Sequence, residues 1–361
     1  MTTAANDEAP VLLHTEGRAG HITLNRPRAI NALNHAMVRL MDDALCAYER
    51  DDDIATVVLT GKGARGLCAG GDIRSIHDDV RAGGGPASVA FWRDEYRLNA
   101  RIARFPKPYV AVMDGIVMGG GVGVSAHGGV RIVTERSRIA MPETGIGFVP
   151  DVGGTYLLTR TPGELGTHLA LTGSAVGAGD ALLCGLADHY VPSERLPEFT
   201  AALADTPASD AVAEYAATAP EGELAAHREW IDACYAADTV EEIVDRLYAF
   251  GDRAAKETAE TIIGKSPTSL KVTLASLRRA RALASLEQVL DQEYRVSATA
   301  IGAPDLVEGI RAQVVDKDRD PHWSPAELSR VTDADVARHF APRDGDELGL
   351  GIAPEADPRC P

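Results

Sequence analysis

The stretch Asp114-Gly115-Ile116-Val117-Met118-Gly119-Gly120-Gly121-Val122-Gly123 decides how the chain is read. It follows the apolar, β-branched run Tyr109–Met113, which reads as a strand, and its last five residues open a predicted helix that continues to His127. Inside a helix each glycine is roughly 1 kcal/mol worse than alanine. A run of three at a helix start therefore calls for a compensating reason. Close approach of the backbone to a ligand is one, with free N–H groups and the positive end of the helix dipole aimed at an oxyanion. Two other patterns overlap this stretch. Gly121-Val122-Gly123-Val124-Ser125-Ala126 matches a dinucleotide fingerprint, but seven residues separate it from Met113, whereas that fingerprint needs its glycines in the first tight turn. Gly123-Val124-Ser125-Ala126-His127 approaches a nucleophile elbow, but His127 replaces the final glycine and Ser125 falls inside the helix.

Outward from this stretch, strand and helix signals alternate. Val11–Thr15 and His21–Leu24 predict a hairpin, Asn34–Arg50 an amphipathic helix, and Ile54–Thr60 a buried strand. Val130–Glu135, Arg138–Met141 and His189–Val191 read as further strands, and Ala181–Leu186 as a helix. The recurrence predicts an α/β core of stacked turns over residues 10–200. Residues 201–342 lose the strand signals and predict a helical region, with Ser266-Pro267-Thr268 as a capped helix start and helices over Ser269–Leu283 and Ser285–Ala300. The tail 343–361, rich in acidic residues, Pro and Gly, is expected to fray.

The 361 residues carry 36 Lys+Arg against 53 Asp+Glu, a net charge of −17. Without a basic cluster to override it, that field argues against nucleic acid and anionic membranes as partners. No apolar run reaches the length of a membrane span, and the acidic, arginine-free residues Met1 to Pro10 do not resemble a targeting segment. The expectation is a cytoplasmic protein. Five scattered cysteines with no C-x-x-C pair argue against a disulfide framework, and ten dispersed histidines without H-E-x-x-H predict no metal site.

Two other segments carry candidate chemistry. Gly66-Leu67-Cys68-Ala69-Gly70-Gly71-Asp72-Ile73 has the small residues that let a ligand reach the main chain, and Gly71 N–H is a candidate donor; an ordinary glycine turn fits as well. Met141–Gly154 holds Glu143 and Asp151 in an apolar loop constrained by Gly and Pro. Such a setting raises a carboxyl pKa toward neutrality and suits it to proton transfer. The competing reading makes Asp151 a helix N-cap and Glu143 a solvated loop residue.

Taken together, Asn25-Arg26-Pro27, Asn31-Ala32-Leu33, Cys68-Ala69-Gly70-Gly71-Asp72, Asp114-Gly115, Gly119-Gly120-Gly121 and Met141-Pro142-Glu143 resemble the enoyl-CoA hydratase/isomerase (crotonase) superfamily. The resemblance implies a crotonase-like spiral of ββα turns, an acyl-CoA thioester as ligand, and an oxyanion hole from the N–H groups of Gly71 and Gly120. Hydratases of the family use two glutamates. One corresponds to Glu143; the other falls on Gly123, which has no side chain. The chain further resembles the 3-hydroxyisobutyryl-CoA hydrolase branch through Phe91–Tyr96, Pro150–Gly154, Ser266–Lys271, Glu293-Tyr294-Arg295 and Glu308–Ala312. That implies thioester hydrolysis of a β-hydroxyacyl-CoA, as in valine catabolism, with enoyl-CoA hydration or isomerisation as the alternative. Glu143 would be the nucleophile or general base, and Asp151 would orient the substrate hydroxyl or deliver a proton. Glu95 would contact the acyl end, Arg28 a CoA phosphate, and the Ala69-Gly70-Gly71-Asp72 backbone the adenine; a solvated surface charge is the other reading of Arg28. Coenzyme A is then part of the substrate and no separate cofactor is expected; the resemblance also implies a homo-oligomer, trimer or hexamer.

Overall fold

The computed structural model describes residues 9–351. Strands β1 (Val11–Glu16) and β2 (Ala19–Leu24) form the expected antiparallel hairpin, and helix α1 (His35–Arg50) follows, capped by Asn34 Oδ1 accepting from Met37 N at 3.0 Å. Strand β3 (Thr56–Gly61) leads to helices α2 (Ile73–Gly83) and α3 (Pro86–Arg104). Next come β4 (Tyr109–Met113), β5 (Ile116–Met118), helix α4 (Gly120–Ser125), β6 (Val130–Val133), β7 (Arg138–Ala140) and, further on, β8 (His189–Tyr190). The main sheet has the order β1-β2-β3-β4-β6-β8, parallel except for the β1/β2 edge, while β5 and β7 pair in parallel in a second, two-stranded sheet. Isolated bridges Leu33↔Gly71, Gly66↔Gly115 and Cys68↔Val117 stitch the turns together. They lay the Gly66–Gly71 segment beside the Gly115–Val117 segment. This is the ββα spiral.

Pattern does not separate strand β5 from the glycine-rich stretch, because three residues between glycines are too few to show a period of two. The central strands are buried on both faces, which explains their unbroken apolar runs. Val57 and Leu59 face the large core shared with α1, α3 and the C-terminal helices. Val58 faces a smaller core closed by Phe199, Leu203 and Val212. The large core draws residues from both regions, from Val11 in the first strand to Leu348, so the helical region packs onto the spiral rather than beside it. Of the residues read as a fraying tail, Arg343–Gly351 are tied down: Arg295 Nε donates to Glu347 at 2.8 Å, Leu350 N to Asp291 at 2.8 Å, and Arg93 pairs with Asp346. Composition alone hides these long-range partners. The rest of that expectation, residues 352–361, lies outside the described residues. Cys68, Cys184 and Cys234 are buried free thiols.

Candidate active site

A cavity of about 720 Å³ opens between the spiral and the helical region. Its lining includes Ala69, Gly70, Gly71 and Asp72, then Gly119 and Gly120, then Glu95, Glu143 and Asp151. Segments scattered over more than eighty residues of sequence therefore meet in one place. Arg28 is not among them. It is exposed on the 3-10 turn Pro27–Ala29, where its carbonyl accepts from Arg65 Nη2 at 2.7 Å; Arg26, two residues earlier, lines the cavity together with Arg74 and Lys265.

The glycine run is explained by what approaches it. Gly119 has φ +49° and ψ −119°, a conformation that a side chain would strain, and a Cβ there would lie 2.7 Å from Glu143 Oε1. A Cβ on Gly120 would lie 2.6 Å from Glu95 Oε1 and 3.3 Å from Gly71 N. The two main-chain N–H groups are thus neighbours at the cavity wall. Neither finds a hydrogen-bond acceptor among the described residues. Gly120 begins α4, where the first N–H groups of a helix have no internal partner. Asp72, beside Gly71, is committed elsewhere: it caps α2 and pairs with Arg26 Nη2 at 2.8 Å.

The three carboxyl groups are all buried. Glu143 starts the 3-10 turn after β7, so it is no solvated loop residue, and its Oε2 has no hydrogen-bond partner among the described residues. Glu95 comes from the inner face of α3 and leaves Oε1 equally unpartnered. Burial first, and then the Asp151 charge, holds both well above the usual carboxylate range. Asp151 does not cap the following helix, whose N-cap is Gly153. Its side chain accepts from the Tyr96 hydroxyl at 2.7 Å, and Tyr96 shares a second 2.7 Å bond with Ser297 Oγ. Burial pushes Asp151 up to about 7, against the pull of the Tyr96 bond. Apolar side chains share the cavity lining with these acids, among them Trp92 stacked on Phe148 at 5.0 Å. Two unpartnered amides beside an unpartnered buried acid can polarise a carbonyl while the acid attacks it or activates a neighbouring water.

One group of three side chains that could hold a metal exists among the described residues: His14, Glu16 and His21, on the β1/β2 hairpin. None of the three lines the cavity. The two imidazoles stack nearly parallel at 4.4 Å, so their nitrogens lie in separate planes rather than converging on a point. No helix among the described residues is long and apolar enough to cross a membrane.

Residues 19–340 match the family model described as enoyl-CoA hydratase/isomerase. The chain is 43% identical to a mitochondrial 3-hydroxyisobutyryl-CoA hydrolase of Rattus norvegicus, over 92% of this chain and 89% of the relative. It is 41% identical to the mitochondrial 3-hydroxyisobutyryl-CoA hydrolase of Xenopus tropicalis, over 97% and 93%. Among solved structures, a carnitinyl-CoA dehydratase from Mycobacterium thermoresistibile superposes with a TM-score of 0.92 at 53% identity, covering 96% of this chain and all of that one. With a family match over most of its length, a parallel-rich spiral and paired amides over a buried acid, the chain belongs to the enoyl-CoA hydratase/isomerase family.

Proposed function

We propose that this chain hydrolyses the thioester of 3-hydroxyisobutyryl-CoA, or of a closely related β-hydroxyacyl-CoA, to the free hydroxy acid and coenzyme A. In this reading the thioester oxygen lies between the N–H groups of Gly71 and Gly120. Removing one such donor typically costs about 2.7–4 kcal/mol of transition-state stabilisation. Glu143 either attacks the acyl carbon to give a mixed anhydride, which water then opens, or activates that water directly. Asp151, pushed up to about 7, is poised to protonate the departing thiolate near neutral pH, and Glu95 receives the substrate hydroxyl. The Ala69–Asp72 backbone follows the CoA arm. Arg26, Arg74 and Lys265 line the cavity and Arg28 does not, which supports the first three as the cations that meet its phosphates.

One observation carries hydrolysis over hydration. The position of the family's other glutamate is Gly123, where a Cβ would lie 2.6 Å from Val152 Cβ and 3.0 Å from Asn99 Nδ2. The space is filled, so no side chain can reach the substrate from there. The competing reading is a hydratase or dehydratase using Glu143 with Asp151 as substitute acid. The similarity to the mycobacterial carnitinyl-CoA dehydratase favours it, whereas the names of the vertebrate relatives favour hydrolysis. Assaying free thiol release from 3-hydroxyisobutyryl-CoA beside hydration of crotonyl-CoA separates the two. Rapid hydration without thiol release overturns the proposal.

A further inference from the structure

The Asp151 turn is improbable on its own. Val152 has φ +54°, a left-handed backbone that a β-branched residue rarely adopts, and Gly153 follows at φ +78°. Such a conformation persists only where the surroundings over-determine it. The surroundings here come from the helix Leu286–Ala300. Glu293, 1% exposed, accepts from Gly153 N at 2.6 Å on one oxygen, and from Thr155 N at 2.9 Å and Thr155 Oγ1 at 2.6 Å on the other. One helical turn further, Ser297 bonds the Tyr96 hydroxyl that donates to Asp151 Oδ2. His127 Nε2 bonds the Val152 carbonyl at 2.8 Å. A single face of this helix therefore grips both the backbone after Asp151 and, through Tyr96, its carboxyl. Glu293 lines no part of the cavity.

We infer that Glu293 is a positioning residue for Asp151, fixing the 151–155 turn so that the Asp151 carboxyl meets the reacting thioester. The inference rests on the hydrolase reading above. All three partners of Glu293 are donors, so both of its oxygens must accept. Glutamine offers one oxygen and turns its NH₂ toward a donor, which breaks the grip without changing the volume. A displacement of about 1 Å at a catalytic group can cost on the order of 10²-fold in rate.

The test uses steady-state thiol release from 3-hydroxyisobutyryl-CoA by the full chain. Glu293→Gln should lower kcat on the order of 10²-fold while KM stays within about threefold, since the substrate contacts are untouched. Because Glu293 acts through Asp151, the double variant Glu293→Gln/Asp151→Asn should be no slower than Asp151→Asn alone, within about threefold. A merely structural role would lower stability and leave this coupling absent. Thr155→Val, which removes one of the three donors, should lower kcat about tenfold, and it keeps the inference testable if Glu293→Gln does not fold. Arg278→Gln, which breaks an ion pair to Glu164 outside the cavity, should leave kcat unchanged. A kcat within about threefold of wild type for Glu293→Gln and Thr155→Val, or multiplicative losses in the double variant, overturns the inference alone. A wild-type chain that releases no thiol overturns the hydrolase reading and the inference with it.

Discussion

Replacing Asp151 with asparagine should make this protein more stable as well as less active. Burial, the largest cause, raises the carboxyl from 3.8 to about 7. A carboxyl whose folded pKa lies above its unfolded one binds more protons in the folded state. It is neutral in both states below about pH 4 and destabilises the fold progressively as pH rises toward 7. At 1.36 kcal/mol per unit, the full rise corresponds to about 4 kcal/mol, and the part above pH 5 to about 2–3 kcal/mol. Asparagine keeps the shape and an oxygen to accept from Tyr96, so little packing is lost. Urea unfolding of both proteins at pH 5 and pH 8 measures the difference. The stability gap in favour of Asp151→Asn should widen by about 2–3 kcal/mol between the two, while thiol release falls by about 10²–10⁴-fold. A gap that stays flat, or a variant less stable than wild type at pH 8, would refute the claim that burial raises this carboxyl.

Three other substitutions probe the rest of the site. Glu143→Gln should lower turnover by about 10²–10⁴-fold with coenzyme A binding retained by calorimetry; near-normal turnover removes Glu143 from the mechanism. Gly120→Ala puts a methyl 2.6 Å from Glu95 Oε1 and 3.3 Å from Gly71 N, where the thioester oxygen belongs. Its kcat should drop by about 10²–10³-fold in a folded protein, and an unchanged kcat would sink the paired-amide arrangement. Gly123→Glu should destabilise by about 1–3 kcal/mol through overpacking against Val152 and Asn99, without creating crotonyl-CoA hydration. Hydration at wild-type stability would show that the space is open after all.

The residues legible in the sequence are those with a local reason to be unusual. Gly120 stands in a run of glycine that costs helix stability, Gly71 in a stretch of small residues, and Glu143 and Asp151 are acids in an apolar loop. Each leaves a mark within a few neighbours. Tyr96 and Glu293 stand in stretches that carry the resemblance, but nothing local gives their role: they act 55 and 140 residues away from the turn they hold, on helices whose spacing reports only burial. Arg26 and Arg28 flank one proline, and pattern does not say which of the two faces inward. Structure separates them, because the turn Pro27–Ala29 carries Arg28 outward while Asp72 draws Arg26 to the cavity.

The most direct measurement is a crystal structure of the Glu143→Gln variant with 3-hydroxyisobutyryl-CoA bound. The thioester oxygen should sit about 2.7–3.1 Å from both Gly71 N and Gly120 N, with residue 143 facing the acyl carbon. An oxygen turned away from these two amides, or an acyl group beyond the reach of residue 143, would contradict the account.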